Sequence, residues 1–265
     1  MRSTSNPAFR NLPTGGGGYA DFNSAPAGLG GGYAGTPLAA SRPMTVDDVV
    51  TKTAITLAVV MATGAATYFS GLWGLALPAA LIGFVLALLI TFKRSVSPPL
   101  ILIYAAAEGV FLGGISGVVG DYVAARTGSS GSGIIFQAIA GTGLVFAGML
   151  VVYRTGAVRV TPRFTKWLLG AMIGVVGLML LNLVLNLFGV DPGLRSGGPL
   201  AIVFSLVCIG VAAFSFLLDF DMADQAIRAG APEKTAWYIA FGLTVTLVWL
   251  YLEILRLLSY FQSNQ

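Results

Sequence analysis

The chain is 265 residues long, 56% hydrophobic and only 10% charged, where a soluble globular domain carries roughly 25% charged residues, and this excludes a soluble monomer. It has no histidine and one cysteine, Cys208, which excludes histidine-based zinc sites, Ser-His or Cys-His catalytic arrangements and any internal disulfide. The net charge of +4 comes from basic residues that stand singly or in pairs between apolar runs, so a nucleic-acid partner is not expected.

Residues 1–44 are rich in Gly, Ala, Ser and Pro and repeat the pattern Gly17-Gly18-Tyr19 and Gly31-Gly32-Tyr33. That composition predicts a disordered, Gly-rich cytoplasmic tail, either a plain linker or a partner-binding segment anchored by Tyr19, Phe22 and Tyr33. It has no apolar signal-peptide core, so the first apolar segment is expected to act as the membrane address. Thr45, followed by Asp47 and Asp48, suits a helix start, with the acids at the positive end of the dipole.

From Thr53 to Phe92 there are 40 residues without a charge. A single helix of that length would run about 60 Å, twice the roughly 30 Å hydrocarbon core, so the chain folds back once. The expected turn is Ser70-Gly71-Leu72-Trp73-Gly74, with Tyr68 and Trp73 as interfacial aromatics. Within a membrane domain over 45–265, spans are predicted near 51–70, 74–92, 98–120, 134–153, 167–188, 199–218 and 236–260. The fold class is an all-α membrane protein, a seven-transmembrane-helix bundle. Counting alternate loops places all basic residues but Arg126, Arg195 and Arg256 on the side of the N-terminus, so that end is predicted cytoplasmic and the C-terminus outside. Cys208 falls inside an apolar run and reads as a small buried hydrophobe.

Gly109, Gly113 and Gly117 recur every fourth residue on the third span, and Gly170 and Gly174 do so on the fifth, which predicts close helix approach at both. Gly113-Gly114-Ile115-Ser116-Gly117 follows no strand and is not read as a phosphate loop. Asn182 and Asn186 share a face of the fifth span, as interhelical hydrogen-bond partners or as lining of a polar path.

The acids within or beside spans are the main functional candidates, because a carboxylate at membrane depth costs roughly 2.5–3.5 kcal/mol on insertion scales and usually faces a cavity or a partner. Glu108 lies near the middle of the third span with no basic residue close in sequence. Asp219 and Asp221 follow the sixth span, with Asp224 one turn on, where acids at a helix C-terminus oppose the dipole. Glu253 precedes Arg256 by three residues, either as a neutralised pair or as a functional group. Acid clusters withdrawn from water can titrate near physiological pH, and with histidine absent they are the proton-sensing candidates. Asp219 and Asp221 also offer oxygen ligands for a hard cation such as Ca²⁺.

Glu108-Gly109, the segment Phe216-Leu217-Leu218-Asp219-Phe220-Asp221, and the last span with Trp249-Leu250-Tyr251-Leu252-Glu253-Ile254-Leu255-Arg256-Leu257-Leu258 together resemble the transmembrane Bax inhibitor motif family, in particular its bacterial members. The resemblance runs from about Thr51 onward and leaves the tail outside. It implies a central last helix wrapped by the other six, in a bacterial cytoplasmic membrane, and a pH-sensitive calcium leak in which aspartates of the sixth and seventh spans share a proton and latch the pore. The sixth-span aspartate matches Asp219 or Asp221. A register set on the Leu-Arg-Leu ending puts Thr246 where the seventh-span aspartate is expected, and Glu253 is the only acid in that helix. The resulting expectations are gating by Asp219, Asp221 and Glu253, a path lined by Glu108, Thr246, Asn182 and Asn186, and no cofactor beyond transported Ca²⁺. The other function implied is a regulator that binds a membrane protease or stress-response partner through the tail without transport. An enzyme is not expected, because no paired catalytic motif appears.

Overall fold

In the computed structural model the described residues are 42–94, 96–128, 131–190 and 192–263, and they form one helical unit. The tail residues before Arg42, including Tyr19, Phe22 and Tyr33, lie outside the described residues, as does most of the expected disordered segment. Its last three residues are ordered: Pro43 bridges to Pro232, and Met44 is buried and donates its N–H to the Ala231 carbonyl at 2.8 Å.

Seven helices follow: α1 (Val46–Ser70), α2 (Ala76–Lys93), α3 (Pro98–Thr127), α4 (Ser132–Thr155), α5 (Pro162–Leu187), α6 (Pro199–Arg228) and α7 (Thr235–Ser263). Each, with a short 3-10 turn over Trp73–Leu75 counted with α2, is long and apolar enough to cross a membrane. Their ends follow local chemistry. Thr45 caps α1 in a capping box closed by Asp48. Gly71 ends α1 with φ of 69°, the left-handed conformation that glycine adopts without steric cost, and so makes the expected hairpin turn. Pro98, Pro162 and Pro199 occupy first-turn positions, where a missing N–H costs nothing. The sixth helix continues ten residues past Leu218 to Arg228. Asp219 and Asp221 therefore lie inside it, and opposition to the helix dipole is not what makes them unusual.

The last helix is the centre of the bundle. It packs against α1, α3, α4 and α6, and 67% of its most apolar stretch is buried, against 17% for the equivalent stretches of α2, α4 and α5. Leu247, Leu250, Ile254 and Leu255 of α7 meet Phe216 and Phe220 of α6 in the main core, with Phe146 of α4 edge-on to both rings. Since lipid tails are as apolar as leucine, such contacts hold helices through packing and hydrogen bonds and not through removal from water.

Close packing is strongest between α1 and α3. A Cβ on Gly109 would collide with the Thr63 hydroxyl and the Val60 carbonyl, and one on Gly113 with the Gly64 carbonyl; on Gly117 it would strike the Trp73 ring. The third-span glycines thus let two backbones touch. The fifth-span pair does not: Gly170 and Gly174 have open space where a Cβ would stand, because α5 packs chiefly on α6 and turns these positions outward.

At the end of the bundle where α1 begins, four charged groups join it to the α6–α7 loop. Arg42 pairs with Asp48 at 2.7 Å and with Glu233 at 3.1 Å, while Lys52 reaches Glu233 at 3.0 Å and Asp48 at 3.8 Å. Asp48 and Lys52 are both buried, so each charge depends on the others for its partner.

Two substitutions separate the glycine roles. Gly113→Val is expected to lower the melting temperature of the detergent-solubilised protein by many degrees, since two backbones must part, while Gly170→Val leaves it nearly unchanged.

Candidate functional site

The expected site residues fall at five separate places. The most telling is between α6 and α7, where Thr246 donates its hydroxyl to the Asp219 carboxylate at 2.7 Å. Helix geometry makes this contact one-sided: residues two apart on a helix point about 200° away from each other, so only one of Asp219 and Asp221 can face α7. That one is Asp219. It lines a small cavity of about 100 Å³ with Met222, Tyr238, Ile239, Phe241 and Gly242. Gly242 lies one turn before Thr246, and its carbonyl accepts a second, longer contact from the same hydroxyl at 3.3 Å.

Asp221 points elsewhere. It accepts from Gln225 at 2.6 Å and lines a different, larger cavity beside the α4–α5 loop. Of the two aspartates expected to act together, only Asp219 meets Thr246, and Asp221 lines a different cavity. Among the described residues no group of three or more His, Cys, Asp or Glu side chains is placed to hold a metal ion.

Glu108 lies between α3 and α2. It is 9% exposed, its carboxyl rests against the backbone of Gly83, where a Cβ would come within 2.8 Å of Oε1, and its hydrogen-bond partner is the Tyr104 hydroxyl one turn earlier. Tyr104 in turn stands edge-on to Phe241 at 4.9 Å, and Phe241 is a wall of the Asp219 cavity. An aromatic pair thus stands between the two intramembrane carboxyl groups. The small residue that admits Glu108, Gly83, carried no sequence signal, because a lone glycine in an apolar helix has many possible reasons to be there.

Glu253 sits toward the other end of α7, about 10 Å along the axis from Thr246. It is 2% exposed and pairs with Arg256 at 2.8 Å and Arg195 at 3.9 Å. Burial pulls the Arg195 guanidinium below its ordinary pKa, and Glu253 opposes this. Of the two readings of Glu253, the structure builds the ion pair, and it enlarges that pair to a triad. Glu253 does not substitute for a second acid opposite Asp219.

Asn182 and Asn186 are also relocated. Asn186 donates to the Asn182 carbonyl at 2.8 Å and to its side-chain oxygen at 3.2 Å, so the two bond to each other along α5. Neither lines the Asp219 cavity.

Two further hydroxyl contacts tie α7 to its neighbours. Thr244 donates to Thr56 of α1 at 3.3 Å, and the Tyr251 and Ser116 hydroxyls lie 2.7 Å apart, joining α7 to α3. With Thr246 on Asp219, α7 is thus hydrogen-bonded to three different helices. Threonines in apolar spans carry little signal in sequence, because each can bond its own i−4 carbonyl, as Thr244 also does to Ala240 at 2.7 Å.

Seven apolar helices, one of them a hydrogen-bonded core helix, with carboxylates enclosed among them, define a polytopic integral membrane protein. The family model described as Bax inhibitor 1 like matches residues 6–263, and the chain belongs to that family. The match begins at Asn6, so the Gly-rich tail expected to lie outside the resemblance falls largely within it. No curated protein matches the chain.

Replacing the donor tests the contact. Thr246→Val keeps the side-chain shape but leaves Asp219 without its partner, and about 1–2 kcal/mol of stability is expected to go with it. Thr246→Ser is expected to retain most of that stability, read as a difference in melting temperature or in denaturant midpoint in one detergent.

Proposed function

We propose that this protein is a pH-sensitive passive leak channel for Ca²⁺ in a bacterial cytoplasmic membrane, with the N-terminus and the α6–α7 loop on the cytoplasmic side. It is a conduit and not an enzyme. The observation that carries the reading is the Thr246–Asp219 bond at 2.7 Å. It joins the sixth and seventh helices beside a cavity, at the two positions where the family resemblance places its latch. Asp219 is the carboxylate a passing cation meets there, and Glu108 is the next acid on the far side of the Tyr104–Phe241 pair.

The latch here differs from a pair of aspartates in its response to protons. Two carboxylates hold together while they share one proton and repel once both ionise, so such a latch opens as pH rises. A hydroxyl donating to a carboxylate is charge-assisted when the acid is ionised, and about twice as strong as its neutral counterpart. Protonation of Asp219 removes that charge and gives the acid a proton of its own to donate. The Thr246 latch is therefore tight when Asp219 is ionised and loosens as pH falls through its titration.

In liposomes loaded with a calcium dye, the leak of the native chain is expected to rise as pH falls. Asp219→Asn is expected to abolish that pH response. Thr246→Asp is expected to reverse it, with leak rising as pH rises. An unchanged flux at every pH after neutralising Glu108, Asp219, Asp221 and Glu253 together overturns the reading.

A further inference from the structure

Asp221, turned away from the latch, opens a second question. The cavity it lines has a volume of about 290 Å³ and is bounded by Tyr153 at the end of α4, by Gly156, Val158, Arg159 and Val160 of the α4–α5 loop, and by Asp221, Asp224, Gln225 and Arg228 of α6. Its four charges sum to zero, but they are not all paired. Arg228 holds Asp224 at 2.7 Å. Asp221 is bonded by the neutral amide of Gln225, and neither it nor Arg159 has an ion-pair partner among the described residues. One carboxylate and one guanidinium thus share a cavity without neutralising each other.

The depth of the cavity is set by the length of α6. Thirty residues make a helix of about 45 Å, so about 7 Å projects beyond each side of a roughly 30 Å hydrocarbon core. Asp224 and Arg228 in the last two turns stand at headgroup level, with Asp221 at its inner edge. A group that matches this arrangement carries one cation and one anion a few bonds apart and lies at headgroup level.

We propose that the cavity binds a phosphoethanolamine group, with Arg159 holding the phosphate and Asp221 the primary ammonium, and with the Asp224–Arg228 pair supplying a second contact to each. The same chemistry occurs as the headgroup of phosphatidylethanolamine and as the free glycerophosphoethanolamine. The three N–H donors of a primary ammonium suit a carboxylate, whereas a trimethylated choline has none, which sets the selectivity. The site is separate from the Thr246–Asp219 contact and stands whether or not the protein conducts ions.

The test is native mass spectrometry of the full chain released from nanodiscs containing phosphatidylethanolamine, phosphatidylcholine and phosphatidylglycerol with matched acyl chains. Phosphatidylethanolamine is expected to be retained about tenfold over phosphatidylcholine, the worth of one charge-assisted hydrogen bond. Asp221→Asn with Asp224→Asn is expected to erase that preference, and Arg159→Gln to reduce retention of phosphatidylethanolamine and phosphatidylglycerol alike. If the double variant does not fold, Asp221→Asn alone serves, because it leaves the Asp224–Arg228 pair in place. Displacement of the retained lipid by glycerophosphoethanolamine assigns the site to the free compound, and resistance to displacement assigns it to the lipid. Equal retention of the ethanolamine and choline lipids, or an undiminished preference in the aspartate variant, overturns the proposal.

Discussion

An ionisable side chain carried into a bilayer must find a partner, and much of this structure follows from how that demand is met for a few acids. Glu253 is met with two guanidinium groups, Glu108 with a tyrosine hydroxyl and Asp219 with a threonine hydroxyl. The solutions are of two kinds. An ion triad neutralises its carboxylate with fixed charge and so favours one arrangement. A hydroxyl partner adds no charge, and the strength of its bond depends on the protonation of the acid; of the two hydroxyl partners, only Thr246 joins one helix to another.

The same demand explains why α7 occupies the centre. Helices in lipid gain little from hiding apolar surface, so a central helix is held by close fit and by polar contacts that lipid cannot offer. Thr244, Thr246 and Tyr251 give α7 such contacts with α1, α6 and α3 in turn. The α1–α3 pair uses the other means, glycines that allow backbones to touch. Outside the hydrocarbon, the Arg42, Asp48, Lys52 and Glu233 network ties the start of α1 to the loop that delivers α7. The helix that carries Thr246 thus follows an anchored loop and is braced at its far end by Glu253.

On the proposed reading, a single aspartate at the contact changes its chemistry. Where two acids face each other, proton loss generates repulsion within the contact itself. Thr246 offers a hydroxyl in place of a second acid, and a channel latched by such a bond would couple protons to opening with the opposite sign.

The sequence by itself determined the number of helices, their approximate limits and the family, because span length is set by bilayer thickness and turns by glycine, proline and charge. Thr45 and Gly71 are legible for that reason, whereas α5 begins at Pro162, ahead of the expected 167, and α6 runs to Arg228, past the expected 218. It also determined which residues are costly in a membrane, since an acid in an apolar run is conspicuous whatever it touches. What each acid touches was decided only by the tertiary structure. A two-residue step on one helix sends Asp219 and Asp221 to different cavities, and the partners distant in the chain are Thr246 for Asp219 and Arg195 for Glu253. Identical glycine spacings came out close-packed on α3 and open on α5, because spacing records the face a helix offers and only the fold determines whether another helix meets it.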